Sequence, residues 1–126
     1  MRTLALFVLA TALAAQTAAA QTGAPVTGDP AKGKSAFGAC AMCHSDTPGK
    51  NGIGPSLFGV VGRQAGTAPD FKYSAAMKAA GAWTPSRLDA FIAAPRTAVP
   101  GTTMPFGGIK DAAKRADIVA YLGTLK

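Results

Sequence analysis

The chain has 126 residues, a one-domain length, with 13 Lys and Arg against six Asp, a single His and a formal net charge of +7. Its only cysteines, Cys40 and Cys43, stand too close together to close a useful loop, which excludes a disulfide scaffold. With no basic run and no interleaved aromatics, the positive charge lacks the footprint of a nucleic-acid binder and points instead to an acidic partner met at long range.

At the start, Met1-Arg2 supplies a positive end, Leu4 to Ala15 is an apolar run, and Ala18-Ala19-Ala20 fits a small-x-small cleavage rule. Residues 1–20 therefore read as a secretory signal peptide, cleaved after Ala20, and the protein as exported to the periplasm. An uncleaved anchor is the alternative, but Leu4 to Ala20, interrupted by Thr and Gln, falls short of the roughly 20 apolar residues of a spanning helix. Residues 21–28 read as a flexible small-residue lead-in and 29–126 as one domain. The leader inflates the hydrophobic fraction of 48%. A domain of about 100 residues is only marginally able to fold alone, so an extra source of core is expected.

Asp29-Pro30 predicts an N-cap followed by Pro at the first helical position, opening a helix through Ala39. From Ser45 to Tyr73 there is no periodicity, only glycines and prolines that punctuate a long loop. "SAAMKAAG" predicts a short helix ended by Gly81 in a left-handed cap. Thr84-Pro85 repeats the cap-then-Pro signal, and Leu88, Phe91 and Ile92 give that helix an apolar face until Pro95. "PRTAVPGTTMPFGGIK" reads as a second irregular stretch. Asp111 caps a last helix with Ile118, Tyr121, Leu122 and Leu125 at helical spacing. Two structureless loops in so small a domain count against an ordinary fold unless a large buried cofactor orders them.

Both cysteines and the only histidine fall in "CAMCH". A structural zinc site needs four ligands, and Cys40, Cys43 and His44 supply three with no further Cys or His in the chain. A thioredoxin-type redox pair expects a βαβ pattern, which is not visible, and gives no role to His44. Cys-x-x-Cys-His is the attachment signature of c-type haem. On one helical turn two thiols reach the two porphyrin vinyl groups as thioethers, and the adjacent histidine lies under the iron. With one histidine, a bis-histidine haem is excluded. Met1 leaves with the leader and Met42 is held at the attachment edge, which leaves Met77 and Met104 for the other axial position. Met77 lies in a helix-like stretch where packing is the ordinary role of Met. Met104 lies in a Gly/Pro loop free to cross the opposite face. His/Met ligation fills both axial positions and raises the reduction potential.

Across Gly28 to Lys126 the chain resembles the class I cytochromes c, the mitochondrial type and its small soluble bacterial relatives. The resemblance is carried by "KGKSAF" with "CAMCH", "GPSLFGVVGR", "APDFKYS", the Trp83 region, "PGTTMPF" and "DIVAYLGTLK". It implies a mainly α class I cytochrome c fold, about four helices and long loops wrapped around one covalently bound haem c. It further implies that Pro55 accepts a hydrogen bond from His44, fixing the ring tautomer. Arg63, Tyr73 and Trp83 are expected around the haem propionates, and Phe91 and Thr102 in the remaining haem surround. Gly33 and Phe37 are expected to cross Tyr121 and Leu122 where the first and last helices pack.

Departures from the family pattern lie near the iron. Phe37 to Cys40 is one residue tighter than in the mitochondrial proteins. Phe91 stands where a Tyr is frequent and Met77 where an Asn is common, so Thr102 remains of the polar network beside the iron–sulfur bond. Thr97 and Thr103 occupy positions often held by lysines, leaving Arg96 and Lys110, with Lys34 and Lys50 as further candidates, for a docking ring.

The function expected is that of a periplasmic, monomeric mono-haem electron carrier, not an enzyme. It would shuttle one electron between redox proteins of a respiratory or photosynthetic chain: an oxidase, a cytochrome complex, a reaction centre or a dehydrogenase with an acidic docking surface. No nucleic acid and no membrane span after cleavage are expected. The alternatives are an electron-accepting haem subunit of a periplasmic dehydrogenase and a gas-binding haem sensor.

Overall fold

The computed structural model describes residues 27–126, so the signal peptide expected at 1–20 and most of the expected lead-in lie outside the described residues. Six helical segments follow in order: α1 (Pro30–Ala36), α2 (Gly38–Ala41), α3 (Ala75–Lys78), α4 (Pro85–Ala93), α5 (Pro95–Ala98) and α6 (Ala112–Gly123). The first two form one nearly continuous helix, since Phe37 between them keeps right-handed helical dihedrals.

The starts of these helices follow from side-chain chemistry. Asp29 accepts from the amides of Ala31 and Lys32, Ser74 from Met77, Thr84 from Arg87, and Asp111 from Lys114. Each satisfies donors that the first turn leaves orphaned. α3 is shorter than its sequence suggests and ends at Lys78, with Gly81 in the left-handed region at φ 84°. α5 corrects the reading of 95–110 as wholly irregular: Pro95 starts it and Val99 closes it one turn later.

α1 and α6 cross at Gly33. A Cβ there would lie 1.9 Å from the Asp117 carbonyl oxygen and 2.8 Å from Tyr121 Cβ, so only glycine allows this approach. One turn on, Phe37 packs edge-on against Tyr121, with ring centroids 5.4 Å apart. Asp29 N–H donates to Asp117 at 2.7 Å, and Tyr121 O–H donates to Asp46 at 2.6 Å. The core spreads from this crossing through Ile118, Val119 and Leu122 to Leu88, Phe91 and Ile92 of α4. Among the described residues there is no strand, only an isolated antiparallel bridge between Gln64 and Ala82. Hydrogen bonds from Gly62 N to Trp83 O and from Trp83 N to Arg63 O, both 2.8 Å, extend that bridge and hold Arg63 beside Trp83.

Candidate haem site

α2, α4 and α6 form only part of a shell. Between them and the two loops lies a cavity of about 360 Å³, within the few-hundred-Å³ range of cofactor sites. All ten residues expected to hold the cofactor line it: Cys40, Cys43, His44, Pro55, Arg63, Tyr73, Trp83, Phe91, Thr102 and Met104. They reach it from α2, from both loops and from α4.

Cys40 and Cys43 stand on the last turn of α2 and just beyond it, with Cys43 N bonded to Cys40 O at 3.1 Å. One turn of helix thus presents both thiols to the same wall. Burial, then the neighbouring Cys43, pushes the Cys40 thiol up from its ordinary pKa. His44 Nδ1 lies 2.7 Å from the Pro55 carbonyl oxygen. A carbonyl only accepts, so the proton is on Nδ1 and the lone pair on Nε2. Burial lowers the His44 pKa and so favours the neutral imidazole that can ligate, while the same hydrogen bond to Pro55 opposes the shift. The ring rests against Gly54, where a Cβ would come within 2.4 Å of Cε1.

Met104 lies in the irregular stretch after α5 and lines the cavity, its amide donating to Thr102 Oγ1 at 3.3 Å. Trp83 and Phe91 pack together with centroids 5.1 Å apart and form the inner wall. Arg63 donates through its two terminal nitrogens to Ser56 O and Phe58 O, each at 3.0 Å. Its Nε is buried without a hydrogen-bond partner among the described residues. Leaving such a donor unpaired is costly, so it asks for an acceptor inside the cavity.

These features fit a haem: a mostly apolar chamber, two thiols on one turn, an oriented imidazole, a methionine in the lining and an orphaned donor for a carboxylate. The rival chemistries fit less well. Among the described residues no three His, Cys, Asp or Glu side chains converge on a metal position, and the βαβ unit of a thioredoxin is absent from them.

A family model described as "Cytochrome c" matches residues 30–126. The chain belongs to the cytochrome c family. Cytochrome c2 of Rhodopila globiformis is 51% identical over 88 residues, which are 69% of this chain and 83% of that protein. Cytochrome cH from Methylobacterium extorquens matches in structure with a TM-score of 0.72 at 46% identity, covering 77% of this chain and 99% of that one. Cytochrome c2 from Rhodospirillum centenum gives 0.71 at 40% identity, covering 78% and 98%. The fold is that of a cytochrome c, and the cofactor is a haem c covalently attached through Cys40 and Cys43. Electron transport is the family's work.

The cavity of this cytochrome c also recruits residues that sequence reasoning missed. Phe71, Ile53, Pro105 and Phe106 line it. Asn51 shapes it from outside, donating to Pro69 O at 2.8 Å and accepting from Ser56 N at 2.9 Å, so that one amide joins the two halves of the long loop. Phe71, Pro105 and Phe106 fall within the family motifs, which do not by themselves mark cavity lining, while Ile53 and Asn51 are signalled only by the glycines around them.

Proposed function

We propose that the chain is a periplasmic one-electron carrier with His44 and Met104 as the axial ligands, shuttling between redox proteins and catalysing no reaction alone. What supports this most is that an oriented His44, just after α2, and Met104, in the stretch after α5, line the same apolar cavity. When bound, the haem supplies an iron that exchanges one electron between its ferric and ferrous states. The chain's part is to fix, shield and tune. Pro55 fixes the His44 tautomer, which keeps the lone pair on Nε2. Met104 would supply the second iron ligand and so would leave no position for a substrate. Trp83, Phe91 and Leu88 exclude water from the interior, and Arg63 with Tyr73 and Trp83 offers donors to the propionates. Periplasmic location rests on the leader at 1–20. Among the described residues no helix is long and apolar enough to cross a membrane.

Expression in a haem-attaching periplasm, followed by absorption spectroscopy, tests the assignment. Expected are a ferric sulfur-to-iron band in the deep red, its loss in Met104→Ala, and a ferrous spectrum inert to carbon monoxide. A wild-type ferrous form that binds carbon monoxide readily would favour a gas sensor, and co-purification of a tight dehydrogenase partner would favour a subunit.

A further inference from the structure

We propose that Arg115 is a positioning residue for the loop carrying Met104, a latch at the C-terminal root of that loop; the inference rests on the Met104 reading above. The segment between Val99 and Lys110 is held differently at its two ends. At the N-terminal end, Pro95 and Val99 are buried in the core. Between the ends the hydrogen bonds are local to the segment: Thr102 N to Val99 O, Met104 N to Thr102 Oγ1, and Phe106 N to Met104 O. None of these anchors Met104 to the rest of the protein. The C-terminal end is tied down across the chain. Ile109 N donates to Ile92 O at 2.9 Å, and Gly108, at φ 98°, lies so close to α4 that a Cβ would come within 2.1 Å of Ala93 O.

Arg115 of α6 spans this junction. Its Nη1 donates to Ile109 O and Lys110 O, both at 2.9 Å, and its Nε donates to Asp89 of α4 at 2.8 Å. The guanidinium side chain is only 13% exposed while Asp89 is 44% exposed. One rigid fork therefore fastens the loop's root simultaneously to two helices. Such multidentate geometry is available to arginine and not to lysine. The Asp89–Arg115 contact is the only ion pair among the described residues, and it sits where slack would pass directly to Met104. Removing it leaves two carbonyls and a carboxylate without their donor and lets the loop swing about Val99.

The test uses the haem-loaded protein in the ferric state at pH 7 with imidazole as a competing ligand. Wild type, Arg115→Met, Asp89→Asn and a control on the exposed neighbour, Lys114→Met, are titrated by loss of the deep-red band. Reduction potential and the global guanidinium unfolding midpoint are measured alongside. Arg115→Met is expected to bind imidazole about tenfold more tightly, a change of about 1.4 kcal/mol, with a lowered potential. Asp89→Asn should fall between, and Lys114→Met should match wild type. A purely structural arginine would lower the unfolding midpoint and leave imidazole affinity and potential unmoved, which overturns the latch. If Arg115→Met does not accumulate, Asp89→Asn decides on the same criterion. A wild-type protein lacking the band overturns the Met104 reading and the latch together. A wild-type band with unmoved affinity in the variants overturns the latch alone.

Discussion

Two single side chains carry more than their size suggests. At Gly33 any Cβ meets backbone of α6, not a flexible side-chain tip, so the neighbour cannot yield without moving the helix. Gly33→Ala is therefore expected to cost at least the 1–3 kcal/mol or so of ordinary overpacking, measured as a lower denaturant midpoint with an unchanged haem spectrum. The same substitution at Gly38, where a Cβ meets nothing, should be neutral or better. Tyr121 behaves differently because its hydroxyl is linked to pH. The hydrogen bond to Asp46, then burial, raises its pKa above the ordinary value of about 10. A raised pKa means that the folded protein holds the proton longer than the unfolded chain. The contribution to stability is then fully present below about pH 10 and is lost as pH rises through the folded value. Tyr121→Phe should be less stable than wild type at pH 7, and the gap should close above pH 10 in paired urea melts. A constant gap would show that packing against Phe37, not the hydroxyl, makes the difference.

Among the elements, the loop bearing Met104 governs behaviour in alkali. Replacement of a thioether by an amine needs a lysine close to the iron, and an ordinary lysine holds its proton to about pH 10.4. Thr97 and Thr103 occupy the near positions, and the remaining cation there is Arg96, whose guanidinium is a poor ligand. The deep-red band of ferric protein should accordingly survive to unusually high pH, with Lys110 as the late substitute. Thr103→Lys should lower the midpoint; if it does not, the lack of a local amine is not the cause. The same loop marks the limit of what the sequence discloses. Helices opened by a capping side chain, at Asp29, Ser74, Thr84 and Asp111, are legible because the cap is a local chemical event. α5 is not: Ala94 before it has no capping side chain, its φ is −157°, and one turn is too short for periodicity to register. In the site, Cys40, Cys43 and His44 announce themselves by spacing. Met104 is reached by eliminating the other methionines, while Pro55, Arg63, Tyr73 and Trp83 needed resemblance to a family. Ile53 and Asn51 escaped both, since their positions depend on how 45–73 folds back on itself, through contacts such as Asn51 to Pro69 that no local pattern encodes.

At the scale of the molecule, little of the secondary structure is self-sufficient. Only α6 reaches 12 residues, while α2, α3 and α5 have four each; isolated helices below about 12–15 residues are marginal in water. Without haem the walls of the central cavity have no partner to pack on. The double variant Cys40→Ala/Cys43→Ala, expressed without haem, should be largely unfolded by circular dichroism, as ligand-coupled stability implies. A native-like helical signal with a cooperative melt would contradict this. Charge acts at the same scale. The excess of basic over acidic residues is spread over the chain, so the docking ring proposed for an acidic partner would be thin, Arg96 and Lys110 with Lys34 and Lys50 as further candidates. Steering scales with local charge and is screened over about 8–10 Å. Electron-transfer rates to an acidic oxidase should therefore fall less steeply with ionic strength than for a lysine-rich family member. An equal or steeper slope would place the docking charge elsewhere.

The crossing of α1 over α6 also sets an order of events. The amide of Asp29 and the carboxylate of Asp117 are 88 positions apart in sequence, so the first helix finds its partner only when nearly the whole chain is available. A polypeptide threaded through a secretion channel from its N-terminus emerges with α1 first and α6 last. Until α6 is through, seven residues of α1 have nothing to bury against and stay uncoiled. On the proposed export route Cys40 and Cys43 would therefore reach the far side on a slack chain, accessible to whatever attaches the haem, and the door would close behind them only when the tail arrives.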